Sequence, residues 1–281
     1  MGTGDKRAGG KASGVGSAGK AGSGGGGSGG PGSGGTGSGG GADEADLELI
    51  QALVPGLAAG VKQRLVGGRY ESINVLKMAS LLAGIDSARY YEEHMLLARA
   101  FPKPRGLLRH GVTLASEGER AGGLHLEFGV ATGTTLRHIA EKADSTVYGF
   151  DSFDGLPEEW RTGFEEGKFA RPAPTDLPDN AELVVGLFAD TLPEFAAEHS
   201  GDVAFLHVDC DLYSSTVTIF EHLGDRIGPG TVIVFDEFFN YPGWRQHEFL
   251  AFSEFIEASG LGFEHIGFVP EHQQVGVIIT D

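Results

Sequence analysis

Two acidic clusters stand at the ends of apolar runs. Val203-Ala204-Phe205-Leu206-His207-Val208 is followed by Asp209-Cys210-Asp211, and Thr231-Val232-Ile233-Val234-Phe235 by Asp236-Glu237. Runs of this length, rich in β-branched and aromatic residues and without polar alternation, read as parallel strands covered on both faces. Open α/β sheets carry their chemistry beyond the carboxyl ends of such strands. Two neighbouring strands would bring four carboxylates to one crevice, which costs free energy unless a cation or a proton neutralises them.

The elements that must position these acids follow from the pattern upstream and downstream. From Leu124 the order becomes β-α-β-α, with strands expected at 124–128, 146–150, 182–186, 203–208 and 231–235. Helices are expected at 135–142, 191–198, 215–226 and 246–259. Two further strands, 262–268 and 274–280, are separated by a link too short for a crossover, so they must run antiparallel. The fold expected is an α/β, Rossmann-like sheet of seven mostly parallel strands with an antiparallel terminal hairpin and helices on both faces.

The segment 42–120 reads as a helical lead-in that packs on this core, with breaks at Pro55-Gly56, near Gly84, and at Pro102 and Pro104. Residues 1–41 are roughly half glycine and hold almost nothing that could be buried, so a flexible tail is expected. The whole chain of 281 residues carries a formal net charge of −18, which argues against a nucleic-acid backbone as partner. One cysteine, Cys210, excludes an intrachain disulfide and a cysteine-based zinc site. No apolar run is long enough for a bilayer, and a cytoplasmic protein without membrane contact is the expectation. The lead-in could serve a homodimer contact.

The first strand runs into Glu127-Phe128-Gly129-Val130-Ala131-Thr132-Gly133. Gly129 and Gly133 at a strand-to-helix turn permit close approach of a ligand, but their spacing is not that of a pyrophosphate-binding turn. The second strand ends in Asp151, placed to accept hydrogen bonds from ribose hydroxyls, followed by Ser152 and by Phe153, whose ring could cover an adenine. After the third strand, Asp190 could contact the base or cap the next helix. Together these favour an adenosyl ligand without a pyrophosphate.

Four strings carry a family resemblance: Glu-Phe-Gly-Val at 127–130, Gly-Phe-Asp-Ser-Phe-Asp-Gly-Leu-Pro at 149–157, Asp-Cys-Asp-Leu-Tyr-Ser-Ser-Thr at 209–216 and Val-Phe-Asp-Glu at 234–237. Over roughly 120–281 the chain resembles the macrocin O-methyltransferases, which are class I S-adenosylmethionine-dependent enzymes. The resemblance implies a methyltransferase domain at 121–281, with S-adenosylmethionine bound by Glu127, Gly129, Gly133, Asp151, Ser152, Phe153 and Asp190. It also implies a divalent cation, with Asp209, Asp236 and Glu237 as ligands; oxygen-only donors suit Mg²⁺ or Mn²⁺. The family usually has a second aspartate where Glu237 stands. The acceptor implied is a hydroxylated small molecule, such as a sugar of a natural product.

Proton removal is not fixed by the residues. The family's histidine after the second strand has no counterpart at 151–198, which leaves Asp209, His247 or metal-bound water. His207 reads as a packed core histidine, and Asp211 could be a helix cap. The connection 154–180, with Trp160, Phe164 and Phe169, reads as a substrate lid, and Tyr241-Pro242-Gly243-Trp244 as the opposite pocket wall. Two other readings stand beside this one: an NAD-dependent dehydrogenase, and a non-catalytic binding protein on the same scaffold.

Overall fold

The computed structural model describes residues 74–281. The glycine-rich segment 1–41 and the lead-in before residue 74 lie outside the described residues. The first described helix, α1 (Val75–His94), starts where the Asn74 side chain accepts the Lys77 N–H at 3.1 Å. It passes straight through Gly84, where a break was expected. A helix-interior glycine costs only about 1 kcal/mol, and α1 buries Ala83, Ser87 and Tyr90 on the flanking turns.

The helix expected over Arg89–Phe101 is formed only to His94, as the end of α1, and a two-residue strand, β1 (Arg99–Ala100), follows. Pro104 does not stop a helix but begins one, α2 (Pro104–Glu117). A proline at the first helical position loses no hydrogen bond, because that N–H has no partner in any helix. Leu107, Leu108, Gly111, Val112 and Ala115 form the buried stripe of α2. A Cβ on Gly111 would lie 2.9 Å from Val234 and 3.1 Å from Phe205, so this glycine lets the helix lie close on the sheet.

The remaining elements follow the expected alternation: β2 (Leu124–Phe128), α3 (Thr134–Ala140), β3 (Val147–Asp151), β4 (Ala181–Val185), α4 (Phe188–Glu198), β5 (Val203–Val208), α5 (Tyr213–Leu223), β6 (Val232–Phe235), α6 (Glu248–Ser259), β7 (Gly262–Phe268) and β8 (Val275–Thr280). Together the strands make one sheet in the order β1-β7-β8-β6-β5-β2-β3-β4. Strand β8 runs antiparallel to both β6 and β7, and all other pairs are parallel. The sheet thus has the seven expected strands and the short β1 added at the β7 edge.

Successive residues of the central strands feed opposite faces. Leu206, Val208, Ile233 and Phe235 pack with Ile219 and Phe220 of α5 and Phe252 of α6. Phe205, Val232 and Val234 pack on the other side with Leu107 and Val112 of α2 and Leu136 and Ile139 of α3. Every residue of β5 and β6 is buried. No helix among the described residues is long and apolar enough to cross a membrane.

Candidate active site

The order in which parallel strands are added reverses between β2 and β5, since β3 and β4 extend the sheet one way and β6 the other. At such a switch point the two strand-end loops diverge and leave a crevice. Gly129, directly after β2, adopts φ 93°, and a Cβ there would run into the carbonyl oxygen of Asp209. Only glycine lets the β2 and β5 ends approach this closely. Above them lies a cavity of about 440 Å³.

Asp151 organises one side of it. Its Oδ2 accepts the N–H groups of Val130 (2.9 Å) and Ala131 (2.8 Å), and its Oδ1 accepts that of Phe153 (2.7 Å). The carboxylate therefore fastens the loop after β2 to the loop after β3. Ala131 and Phe153 are held at positive φ, 47° and 60°, a strained geometry that charge-assisted hydrogen bonds offset. Asp151, Ser152, Gly129 and Ala131 all line the cavity, as do Gly186 and Leu187 from the turn after β4 and Phe188 and Ala189 at the start of α4.

The acidic floor lies on the other side. One ligand atom each of His207, Asp209 and Asp236 fall within 4.8 Å of one another, a spacing that could hold a metal ion. His207 is not simply packed core: its Nδ1 lies 3.0 Å from Glu127 Oε1, with both residues almost fully buried. Glu237 lines the cavity, and its Oε2 has no hydrogen-bond partner. Asp211 also lines the cavity, at φ 63°. It caps nothing, because α5 begins after Leu212 without a side-chain cap.

Burial and mutual repulsion both work against charge here. Desolvation, then Asp236, Asp211, Glu127 and Glu248, hold the Asp209 carboxyl well above its ordinary range. Desolvation, then Asp236 and Asp209, do the same for Glu237. Asp211 is raised to about 7 by burial and Asp236, against the opposing pull of the Arg161 cation. Carboxylates gathered so densely are the donor set that a hard divalent cation satisfies.

Two polar side chains hold this floor from behind. Glu248, wholly buried at the start of α6, accepts the Cys210 N–H through Oε1 (3.4 Å) and the Glu237 N–H through Oε2 (3.1 Å). Gln274, just before β8, donates to Asp236 Oδ1 at 2.9 Å. Neither was singled out in the sequence: Glu248 meets Glu237 and Cys210 from 11 and 38 residues away, and Gln274 meets Asp236 from 38.

The lid segment is not structureless. Leu156 and Lys168, Gly167 and Leu156, and Trp160 and Phe164 pair through backbone hydrogen bonds of 2.8–3.0 Å. Leu156, Pro157, Trp160, Arg161, Phe164 and Phe169 of this segment line the cavity. The Arg161 guanidinium lies over three rings: Trp160 (3.8 Å to the centroid), Phe164 (4.7 Å) and Tyr241 (5.0 Å). Its position was also missed from sequence, where it is one arginine among many.

Several expected contacts are placed elsewhere. Phe153 turns at its positive φ into the apolar cluster under α2 and α3 and does not line the cavity, so it covers no adenine there; Phe188 is the ring on the cavity wall nearest in kind. Gly133 is the left-handed residue before α3, covered by Pro174 and Leu177 and away from the cavity. Asp190 is exposed in the first turn of α4 and neither caps that helix nor reaches the cavity. Glu127 is wholly buried behind the cavity, bonded to His207. His247 stands behind the lid, its ring 6.0 Å from that of Trp160 and 6.1 Å from that of Tyr241, and does not line the cavity. Burial and the Arg161 cation lower its pKa. Tyr241 and Trp244 are core residues; the wall facing the lid is formed by Cys210, Asp211, Ser214, Ser215 and Thr218.

Comparison with known proteins follows this geometry. A family model described as a methyltransferase domain matches residues 126–238, the span from β2 to just past β6. The matched span contains Gly129, Asp151, Asp209, Asp236 and Glu237 but neither Glu248 nor Gln274. Over 111 residues it is 31% identical to the 8-demethyl-8-(2,3-dimethoxy-alpha-L-rhamnosyl)-tetracenomycin-C 4'-O-methyltransferase of Streptomyces olivaceus. That alignment covers 33% of this chain and 41% of the relative, so the chain spans less than half the length of the curated relative it matches. Among solved structures, the calicheamicin methyltransferase CalS11 is 18% identical with a TM-score of 0.49, over 86% of this chain and 98% of that one. The O-methyltransferase NovP is 22% identical with a TM-score of 0.48, over 63% and 79%.

Proposed function

We propose that this protein is an S-adenosylmethionine-dependent O-methyltransferase acting on a hydroxyl of a small molecule, a sugar of a natural product being the acceptor class. One observation carries the reading. The backbone-clamped turn at Gly129, Asp151 and Ser152 opens onto the same cavity as the carboxylates Asp209, Asp211 and Glu237. A cofactor turn and an acidic floor that share one cavity can set a donor against a hydroxyl. The rhamnosyl acceptor in the name of the Streptomyces olivaceus relative supports the sugar.

Bound S-adenosylmethionine would supply an electrophilic methyl group on a sulfonium. Gly129, Ala131, Asp151 and Ser152 with Gly186–Ala189 would hold it, Asp151 offering its unused Oδ1 lone pair to a hydroxyl. A divalent cation fits the oxygen donors of Asp209, Asp236 and Glu237, with His207 beside them, and would supply positive charge that favours the alkoxide form of a coordinated hydroxyl. Asp209 lines the cavity and can accept the acceptor's proton; His247 would need the lid to shift. Trp160, Phe164 and Phe169 exclude water from the transfer. A cytoplasmic setting belongs to this reading, with Cys210 a free, buried thiol.

The test is calorimetric binding of S-adenosylhomocysteine with and without Mg²⁺, followed by turnover with S-adenosylmethionine and a rhamnoside in the presence or absence of a chelator. Binding, with turnover that a chelator abolishes and Mg²⁺ restores, is expected. Absence of S-adenosylhomocysteine binding would sink the methyltransferase reading, and chelator-insensitive turnover would sink the role of the cation.

A further inference from the structure

The spacing of ligand atoms in the acidic floor departs from the carboxylate set expected of the sequence. Among the described residues, the set whose ligand atoms all lie within 4.8 Å of one another is His207, Asp209 and Asp236, without Glu237. Two donors that share one ion at about 2.0–2.2 Å stand no more than about 4.4 Å apart. A small rotation of the side chains therefore closes this triangle on one ion.

His207 is prepared for such a role. It stands two residues before Asp209, the spacing that puts side chains on one face of a strand. Its Nδ1 lies 3.0 Å from Glu127 Oε1, and the two residues are 2% and 0% exposed. A neutral imidazole has one N–H and one lone pair. With the N–H on Nδ1 facing the Glu127 carboxylate, the lone pair is on Nε2, and the ring cannot turn without breaking a buried bond. A carboxylate behind a histidine fixes tautomer and orientation for a metal on the far nitrogen.

Asp236 is held in the same manner. Gln274 Nε2 donates to its Oδ1 at 2.9 Å, which leaves Oδ2 for an ion. Asp209 has burial and four neighbouring carboxylates opposing its charge, an imbalance that a cation removes.

Resting on the methyltransferase reading and its cation, we propose that the ion is held by a mixed nitrogen–oxygen set, His207 Nε2 with Asp209 and Asp236, and not by Asp209, Asp236 and Glu237. Such a set suits Mn²⁺, Fe²⁺ or Co²⁺ better than Mg²⁺, which favours oxygen alone. His207 thus decides which metal the site selects, and Glu127 and Gln274 are positioning residues behind it.

The experiment loads the untagged full chain with Mn²⁺ alone and records pulsed electron paramagnetic resonance beside calorimetry. Expected is a ¹⁴N coupling from one imidazole, replaced by a ¹⁵N coupling when histidine is ¹⁵N-labelled. His207→Gln is expected to lose that coupling, to weaken Mn²⁺ binding about tenfold or more and to weaken Mg²⁺ binding less. Glu237→Gln is expected to keep the coupling. Mn²⁺ bound without nitrogen coupling, or a coupling that survives His207→Gln, overturns the set. Absence of any bound Mn²⁺ overturns the set and the cation together. Calorimetry of S-adenosylhomocysteine on the same protein separates each of these results from failure of the methyltransferase reading itself. Should His207→Gln not fold, the labelled wild type and His247→Gln, which is expected to keep the coupling, decide.

Discussion

His207 Nδ1 and Glu127 Oε1 face each other at 3.0 Å across neighbouring strands β5 and β2, where the two residues are register partners. The pair is buried directly under the cavity and leaves the second imidazole nitrogen of His207 free of Glu127. A histidine whose one nitrogen is held by a carboxylate is oriented for whatever its other nitrogen meets. Burial raises the Glu127 carboxyl pKa, and the hydrogen bond from His207 opposes that rise.

Removal of one partner therefore leaves a buried group uncompensated. His207→Ala is expected to destabilise the fold by roughly 3–5 kcal/mol, while Glu127→Gln, which keeps shape and one acceptor, should cost much less. Urea denaturation of both variants checks this. Equal losses would mean that the pair contributes by packing alone.

Asp151 is expected to matter first to the backbone. Asp151→Ala releases the N–H groups of Val130, Ala131 and Phe153, and a loss of about 4.5 kcal/mol or more follows if each of these charge-assisted bonds contributes about 1.5 kcal/mol or better. S-adenosylhomocysteine affinity should fall at least tenfold in the same variant. Asp151→Asn retains acceptors for only part of this set and should lie between. A melting temperature unchanged from wild type in Asp151→Ala would contradict the clamp.

Glu248 holds the two floor loops without entering the cavity. Glu248→Ala is expected to weaken the Mg²⁺ response about 10–100-fold and to leave S-adenosylhomocysteine affinity within twofold. Titrations of Mg²⁺ into turnover assays, beside calorimetry of the cofactor product, separate the two effects. A parallel loss of both would show general unfolding of the loops.

Acid stability should carry the signature of His265. This β7 histidine lies 3.1 Å from the Tyr90 hydroxyl, and burial, then the nearby His94, lower its pKa to about 4. Because the folded value lies below the ordinary 6.5, the unfolded chain binds the extra proton first. Its contribution is complete above about pH 6.5 and is lost at up to about 1.4 kcal/mol per pH unit as pH falls towards 4. His265→Gln keeps a partner for Tyr90 but does not titrate, so its unfolding free energy should change less between pH 7 and 5 than that of wild type. Identical slopes would remove His265 as the cause.

Much of this architecture is legible in the chain because strands such as Val203–Val208 and Gly262–Phe268 are bounded where apolar patterning stops. The same boundary marks Asp209 and Asp236, so the acidic floor is legible with them. Proline and glycine are less direct: Pro104 begins a helix, and Gly84 interrupts none, because burial of flanking residues outweighs propensity. Phe153 shows the limit for a binding site. Two residues from Asp151, its ring still points into the core, because a positive φ reverses the side chain's direction. Glu248 and Gln274 are invisible in one dimension, since Cys210 and Asp236 are brought to them only by the assembled sheet, and Arg161 gives no signal until Tyr241 lies beneath it beside Trp160 and Phe164.

The insertion of β8 between β6 and β7 gives the molecule an order of assembly. During synthesis the loop after β5 and the loop after β6 emerge well before residues 274–280, yet Gln274 reaches Asp236 only once β8 has zipped into its slot. A chain without this strand keeps the Glu248 hold on Cys210 and Glu237, but Asp236 lacks its Gln274 donor and β6 has an unfilled edge. The last strand of the chain is therefore the one that joins the two halves of the sheet, β6 on one side and β7 on the other.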